Sequence, residues 1–225
     1  MYVPVLSGYF SVSGRMAGFF QYPNAFAMFL LIAELVVFAK SKLKVIDVIT
    51  MLVLLGGIVL TGSRTVFVLM VLGNIALVFL EKGKAIKIVT AAVLGTGVLA
   101  VIVLFPILRN SEIFGRFFTI SIFESTFLGR LLYFRDAVPL ILKNPFGLGY
   151  TGYYYLQQSV QTGVYSVKFI HNDYLQIMLD IGWVPAVLFI AAVVKSIFSN
   201  ATEKYKKLIL VLTFLHGLFD FDLEY

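Results

Sequence analysis

Long apolar runs separated by short polar stretches dominate this chain. A bilayer core of about 30 Å takes roughly 20 mostly apolar helical residues. On that measure the pattern predicts six spans: Asn24–Ala39, Val45–Leu60, Thr65–Leu80, Ala85–Phe105, Asn172–Val194 and Lys207–Phe219. The last is short and stops near the end of the chain. Residues 106–170 break the pattern, with polar and charged positions throughout and Phe and Tyr mixed in. The expected organisation is a single all-α membrane domain. It comprises a tail and four transmembrane helices over 1–105, a loop over 106–170, and two transmembrane helices over 171–225.

The linkers sort by charge. Lys40, Lys42 and Lys44 lie between the first two spans, and Lys82, Lys84 and Lys87 between the third and fourth. Lys195, Lys204, Lys206 and Lys207 lie between the last two. Every second linker is Lys-rich, as the positive-inside rule expects of cytoplasmic loops. The tail Met1–Pro23, the turn Thr61–Arg64, the long loop and the C-terminal end then face outward. A loop that long translocates largely regardless of its own charge. An outward tail with no span before it, and an end just after a span, predict a fragment of a longer polytopic protein.

Composition narrows the classes further. Of 225 residues, 60% are hydrophobic and 13% charged, with a mean hydropathy of +0.95. A soluble domain carries about 25% charged residues, so too few are present here to cover a water-facing surface. Disorder, coiled coil and collagen are excluded by the same numbers. Cys is absent, which removes disulfides, thiolate zinc sites and a Cys nucleophile. The net charge of +6 is explained as topology before nucleic acid is invoked.

Charge sorting also separates the two basic residue types. All six Arg (Arg15, Arg64, Arg109, Arg116, Arg130 and Arg135) fall on the outer face, with only Lys143 and Lys168 beside them. Topology accounts for inner Lys but not for outer Arg. The planar guanidinium matches phosphate oxygens in pairs, whereas Lys is a point charge. The outer Arg set therefore points to a bound anion with several oxygens, or to pairing with loop acids and lipid headgroups.

Four outer segments carry Arg15, Arg64, Arg130 and Arg135 and the candidate chemistry. Gly14-Arg15-Met16-Ala17-Gly18-Phe19-Phe20-Gln21-Tyr22-Pro23-Asn24 runs into the first span, and its aromatics suit an interfacial belt. In Thr61-Gly62-Ser63-Arg64, Gly62 permits a tight turn and Arg64 opens the third helix, where free backbone N–H groups already favour an anion. Gly129–Lys143 reads as an amphipathic helix at the outer interface, made short or kinked by Pro139. Asn144–Gly149 then supplies turn chemistry. Gly147, Gly149 and Gly152 spell G-x-G-x-x-G, but no strand or βαβ unit surrounds them, so a nucleotide site is rejected. His171-Asn172-Asp173-Tyr174-Leu175 opens the fifth span, and Asp173 and Asp180 share a helix face. Asp180 sits deep in the apolar run, where an ionisable group faces a bundle interior or a polar cavity. Pro185 is a kink candidate. His216 and Asp220 share a face of the last span, but their spacing is not a metal signature. Glu34, in the first span, reads as snorkelling or paired with a nearby Lys.

Together these segments resemble the O-antigen ligase and O-antigen polymerase superfamily. Its pattern is Arg-x-x-Gly-Phe leading to Pro-Asn, Thr-x-Ser-Arg, Gly-Arg in an outer loop, Asn-Pro-x-Gly-x-Gly, and His-Asn-x-Tyr-Leu. Here these are Arg15 to Asn24, Thr61 to Arg64, Gly129-Arg130, Asn144 to Gly149 and His171 to Leu175. The sequence departs at Asp180, where the family usually has Glu, and at Phe134, near a frequent Trp. The resemblance implies a polytopic helix bundle of the GT-C type in the bacterial cytoplasmic membrane, with its active face extracytoplasmic. It implies transfer of a glycan from undecaprenyl pyrophosphate to a glycan, lipid or protein acceptor, with membrane lipids as surroundings. No cofactor, metal or nucleic acid is implied. His171 and Arg64 are then the catalytic candidates, and Arg15, Arg130, Arg135, Asn172 and Tyr174 the substrate-binding ones, with Asp180 in support. A lipid-linked glycan transporter and a non-catalytic envelope-assembly subunit are the alternatives.

Overall fold

The structure, a computed structural model, describes residues 8–40, 43–80, 83–108 and 125–220. It is mostly helical, as expected of an all-α chain. It divides into two compact units: Met1–Thr119 with Lys204–Leu212 and Tyr225, and Ile120–Glu203 with Thr213–Glu224. Arg109 and Arg116 lie outside the described residues.

The first unit opens on a hairpin that the apolar pattern did not reveal. Strands β1 (Ser11–Val12) and β2 (Arg15–Met16) pair antiparallel, with Val12 opposite Arg15. Ser13 and Gly14 between them both have positive φ, the conformation of a two-residue turn whose twist matches the strands. Four helices follow: α1 (Pro23–Phe38), α2 (Val45–Thr61), α3 (Arg64–Leu80) and α4 (Lys84–Leu108). Pro23 at the first helical position suits its fixed φ and missing N–H. Leu31 and Phe38 of α1, Met51 and Ile58 of α2, and Met70 and Leu77 of α3 form the core. Glu34 is fully buried and accepts a hydrogen bond from Asn74 Nδ2 at 3.2 Å. Its partner is thus an amide in the core rather than a Lys at the rim. Lys40 pairs with Asp47.

The second unit holds α5 (Ser125–Lys143), α6 (Gly152–Leu156), α7 (Asp173–Asp180) and α8 (Trp183–Phe198). The last helix, α9 (Lys204–His216), contributes its first residues to the first unit and its end to the second. Tyr133, Ala137, Leu140 and Ile141 are buried along one face of α5, the i, i+4, i+7, i+8 spacing of an amphipathic helix. Pro139 lies inside α5 and does not shorten it: the helix runs to Lys143.

The predicted fifth span is not one helix. It breaks at Ile181-Gly182 into α7 and α8, and Pro185 sits in the first turn of α8 rather than at a kink. The cause is the Asn144–Gly149 segment, whose backbone docks on the break. Leu148 N donates to Leu179 O (2.7 Å), Gly149 N to Asp180 O (3.0 Å) and Val184 N to Pro145 O (3.2 Å). A Cβ on Gly147 would lie 2.3 Å from Asp180 O, and one on Gly182 2.2 Å from Pro145 O. Of the glycines that spell a nucleotide-like motif, Gly147 is the one that serves this close backbone approach.

Among the described residues no helix is long and apolar enough to cross a membrane. With 16, 17 and 17 residues, α1 to α3 reach about 24–26 Å at 1.5 Å per residue, against a core of about 30 Å.

Candidate functional site

Each unit gathers its own set of candidate residues. In the first, Arg15 projects from β2. Its Nε donates to Thr61 O, the carbonyl of the last residue of α2, at 2.6 Å, and its Nη2 donates to Asn24 Oδ1 in the first turn of α1 at 2.6 Å. Asn24 Nδ2 in turn donates to Tyr22 Oη at 3.3 Å. A cation at a helix C-terminus meets the negative end of the helix dipole. The turn beyond Thr61 is held throughout. Gly62 takes φ 63° and its N donates to Val59 O (3.0 Å). Ser63 N donates to Thr61 Oγ1 (3.2 Å), and Ser63 O accepts from Phe67 N (3.0 Å), opening α3. Arg64 is the first residue of α3 and is half-buried. Arg15, Asn24 and the Thr61–Arg64 turn, distant in sequence, thus meet at one end of this unit.

In the second unit the N-terminus of α7 organises the site. Asn172 caps it: its Oδ1 accepts from Leu175 N at 3.0 Å, while its Nδ2 donates to Leu218 O at 2.9 Å. Asp173 N donates to both Gly217 O (2.8 Å) and Asp220 O (3.1 Å). The Tyr174 hydroxyl donates to Phe214 O, and the two rings pack with centroids 4.8 Å apart. Three consecutive residues of the His-Asn-x-Tyr motif therefore fasten α7 to the last turn of α9 and the segment that follows it. That segment delivers Asp220, 3% exposed, whose Oδ1 lies 3.1 Å from His171 Nδ1. Arg130 Nη1 donates at 2.7 Å to Phe219 O, the carbonyl of the residue before Asp220.

Behind His171 lies a buried phenol and carboxylate network. The Tyr133 ring stands 6.3 Å from the His171 ring and 5.8 Å from that of Tyr165. Burial pushes the Tyr133 hydroxyl up to about 12, the Arg130 charge and hydrogen bond opposing it. Asp136 collects three donors: Thr162 N (2.8 Å), Thr162 Oγ1 (2.9 Å) and Tyr165 Oη (2.9 Å). Burial alone would raise its pKa. The hydrogen bonds, with the Arg135 charge, outweigh burial and hold it below the ordinary carboxylate range. Tyr165 and Tyr153 share a hydrogen bond at 3.1 Å, and burial raises both phenols. Gln157 brackets Val167 with one hydrogen bond to its carbonyl and one from its N–H. The stretch leading into His171 is thereby folded by two buried polar side chains.

The second unit thus brings His171, Asn172, Tyr174 and Arg130 together. Arg135 lies on the exposed face of α5, away from Arg130. Asp180 ends α7, at the far end from His171. Its Oδ2 accepts from Gln176 Nε2 (2.8 Å) and its carbonyl from Gly149 N. That places it in holding the helix break. Asp220, Tyr133 and Asp136 were not among the sequence candidates for the site. Asp220 carried a signal, as an acid one turn from His216, but nothing in the sequence paired it with His171. Among the described residues no group of three or more His, Asp or Glu is placed to hold a metal ion.

As a chemical device, the second unit presents an imidazole backed by a buried carboxylate, with a guanidinium alongside. The first presents an Arg at a helix N-terminus on a turn fastened by a second Arg. Residues 49–190 match a family model described as O-Antigen ligase. No curated protein matches the chain.

Proposed function

Because the chain belongs to the O-antigen ligase family, we propose that it transfers a glycan from undecaprenyl pyrophosphate to an acceptor hydroxyl at the outer face of the bacterial cytoplasmic membrane, in cell-surface polysaccharide and lipopolysaccharide synthesis. The acceptor is a glycan, a lipid or a protein. The observation that carries this reading is the His171–Asp220 pair at 3.1 Å. With the Asp220 carboxylate accepting from Nδ1–H, Nε2 is the unprotonated nitrogen of the neutral ring and can serve as general base.

In this mechanism His171 Nε2 takes the proton of the acceptor hydroxyl. The acceptor oxygen attacks the anomeric carbon of the donor glycan, and the bond from that carbon to the pyrophosphate oxygen breaks. The electron pair leaves on undecaprenyl pyrophosphate. Charge building up on that leaving group needs positioned donors, and Arg64, at a helix start, is assigned that role. Arg15 stands behind its turn, and Arg130 and Arg135 are assigned to the substrate. Asn172 and Tyr174 set the start of α7, and Asp180 supports its end. No cofactor or metal ion enters.

Membrane placement is part of the proposal, with residues 106–170 as the extracytoplasmic loop. It is supported by the outer surface of the first unit, where Val45 is 77% exposed and Phe79 82% exposed. Val36, Val53 and Val68 are exposed as well. A helix that is apolar all round belongs in a core or in lipid.

The test is an assay on the full-length protein with a lipid-pyrophosphate glycan, measuring donor binding and transfer separately. His171→Ala keeps donor binding and loses transfer, whereas Arg64→Lys loses both in part. Transfer at the parental rate in both variants would refute the mechanism. The envelope of a strain lacking the gene separates the two family activities. Unattached long lipid-linked chains mark a ligase, and single unpolymerised repeats a polymerase.

A further inference from the structure

Arg15 and Arg64 occupy opposite electrostatic positions. Arg64 begins a helix, where a cation is unfavourable unless an anion joins it. Arg15 sits at a helix end, on a carbonyl. Only a guanidinium can send two donors from one rigid plane to two such oxygens, here Thr61 O and Asn24 Oδ1, both at 2.6 Å. Thr61 is fully buried, and its Oγ1 donates to Ile58 O at 2.6 Å. From Thr61 the chain reaches Arg64 through two residues whose N–H groups, and the Ser63 carbonyl, are fixed by the hydrogen bonds described above. The position of Arg15 is itself fixed by its pairing with Val12 and by the Ser13-Gly14 turn.

We propose that Arg15 is a positioning residue: it fastens the end of α2 to the start of α1 and thereby sets where Arg64 presents its guanidinium, instead of gripping the donor pyrophosphate itself. This rests on the reading of Arg64 as the anion-binding residue. It also accounts for the Arg-x-x-Gly spacing. Three residues after Arg15, Gly18 takes φ +56°, and a Cβ there would lie 2.7 Å from the Phe26 ring, so the chain turns into α1 only with glycine at that place.

Two measurements on the full-length protein in detergent test it. The first is amide hydrogen exchange without any ligand. Arg15→Ala should speed exchange at Gly62, Ser63 and Phe67, whose N–H groups hold the turn, and Arg15→Lys should restore only part of the protection, because its ammonium lacks the planar fork that spans both oxygens. Unchanged exchange at these amides in Arg15→Ala overturns the proposal. The second is binding of inorganic pyrophosphate in a double-mutant cycle. Arg15→Ala is expected to weaken binding about tenfold in the parental background and less than about twofold in an Arg64→Ala background, because residues acting through one another are not additive. Full additivity means that Arg15 touches the anion directly, and it also overturns the proposal. Binding unaffected by Arg64→Ala would instead remove the reading of Arg64. That failure is distinguishable, since the exchange rates report the Arg15 hold without a ligand.

Discussion

His171 Nδ1 and Asp220 Oδ1 stand 3.1 Å apart although 49 positions separate them in the chain. The pairing follows from how the start of α7 is fastened: Asp173 N donates to the carbonyls of Gly217 and Asp220, and Asn172 Nδ2 to that of Leu218. A carboxylate there selects the Nδ1–H tautomer and stabilises the imidazolium formed during proton transfer. Asp220→Asn keeps the shape but loses the charge. Transfer should fall by about 10²–10⁴, with donor binding unchanged. In the His171→Ala background the same substitution should cost nothing more. Single-turnover kinetics check this, and an Asp220→Asn enzyme turning over at the parental rate would show that the pair is structural.

Arg64→Lys keeps a cation at the start of α3 but loses the paired hydrogen bonds to a phosphate. Loss of one oriented donor costs on the order of 10²–10³ in rate. The expectation is a drop of that size in transfer, with the thermal midpoint within a degree or two of parental. A large fall in the midpoint would mean that Arg64 holds the fold.

Much of the helical frame was readable from the apolar runs. The start of α2 at Val45 and the end of α3 at Leu80 fall where the pattern put them, because a polar linker on each side cuts the run sharply. The hairpin at Ser11–Met16 was not readable, since its strands have two residues each and no alternation. The break at Gly182 was hidden for another reason. Ile181-Gly182 looks like an ordinary interruption of an apolar run, and what opens it is the backbone of Pro145–Gly147 from another part of the chain. Asp136 shows the same limit at the site. Next to Arg135 on a helix it reads as a solvated charge, yet it is 3% exposed and takes three hydrogen bonds. Only the fold of Thr162–Tyr165 over α5 supplies those donors.

The glycine pair at the α7–α8 break has a direct consequence. Gly182 has φ 92° and Gly147 φ 83°, each facing the other segment's backbone. Gly182→Ala adds backbone strain of about 1–3 kcal/mol to a clash with Pro145 O that backbone alone can relieve. The thermal midpoint should drop by several degrees, more than for Gly129→Ala, where a Cβ meets open space. Equal midpoints for the two variants would contradict this docking.

Asp136 gives the fold a pH dependence of defined sign. Burial raises its pKa, but the donors from Thr162 and Tyr165 lower it more, so the net shift is downward. A carboxylate depressed on folding contributes stability that is complete above its unfolded pKa, near 4 for Asp. That contribution is lost as pH falls toward the lower folded value. Asp136→Asn removes the charge and one acceptor while keeping the size, and hydrogen bonds to a charged group are each worth about 1.5–3 kcal/mol. At pH 7 the variant should therefore be less stable by about that amount, read as a lower unfolding midpoint. As pH falls below about 4 the gap between parental and variant should narrow, since the stabilising contribution of the folded carboxylate is then being lost. Transfer should suffer as well at neutral pH, because Tyr165, held by Asp136, packs on Tyr133, which packs on His171. A midpoint gap that stays constant from pH 7 to pH 3 would show that the Asp136 charge contributes nothing to holding the segment before His171.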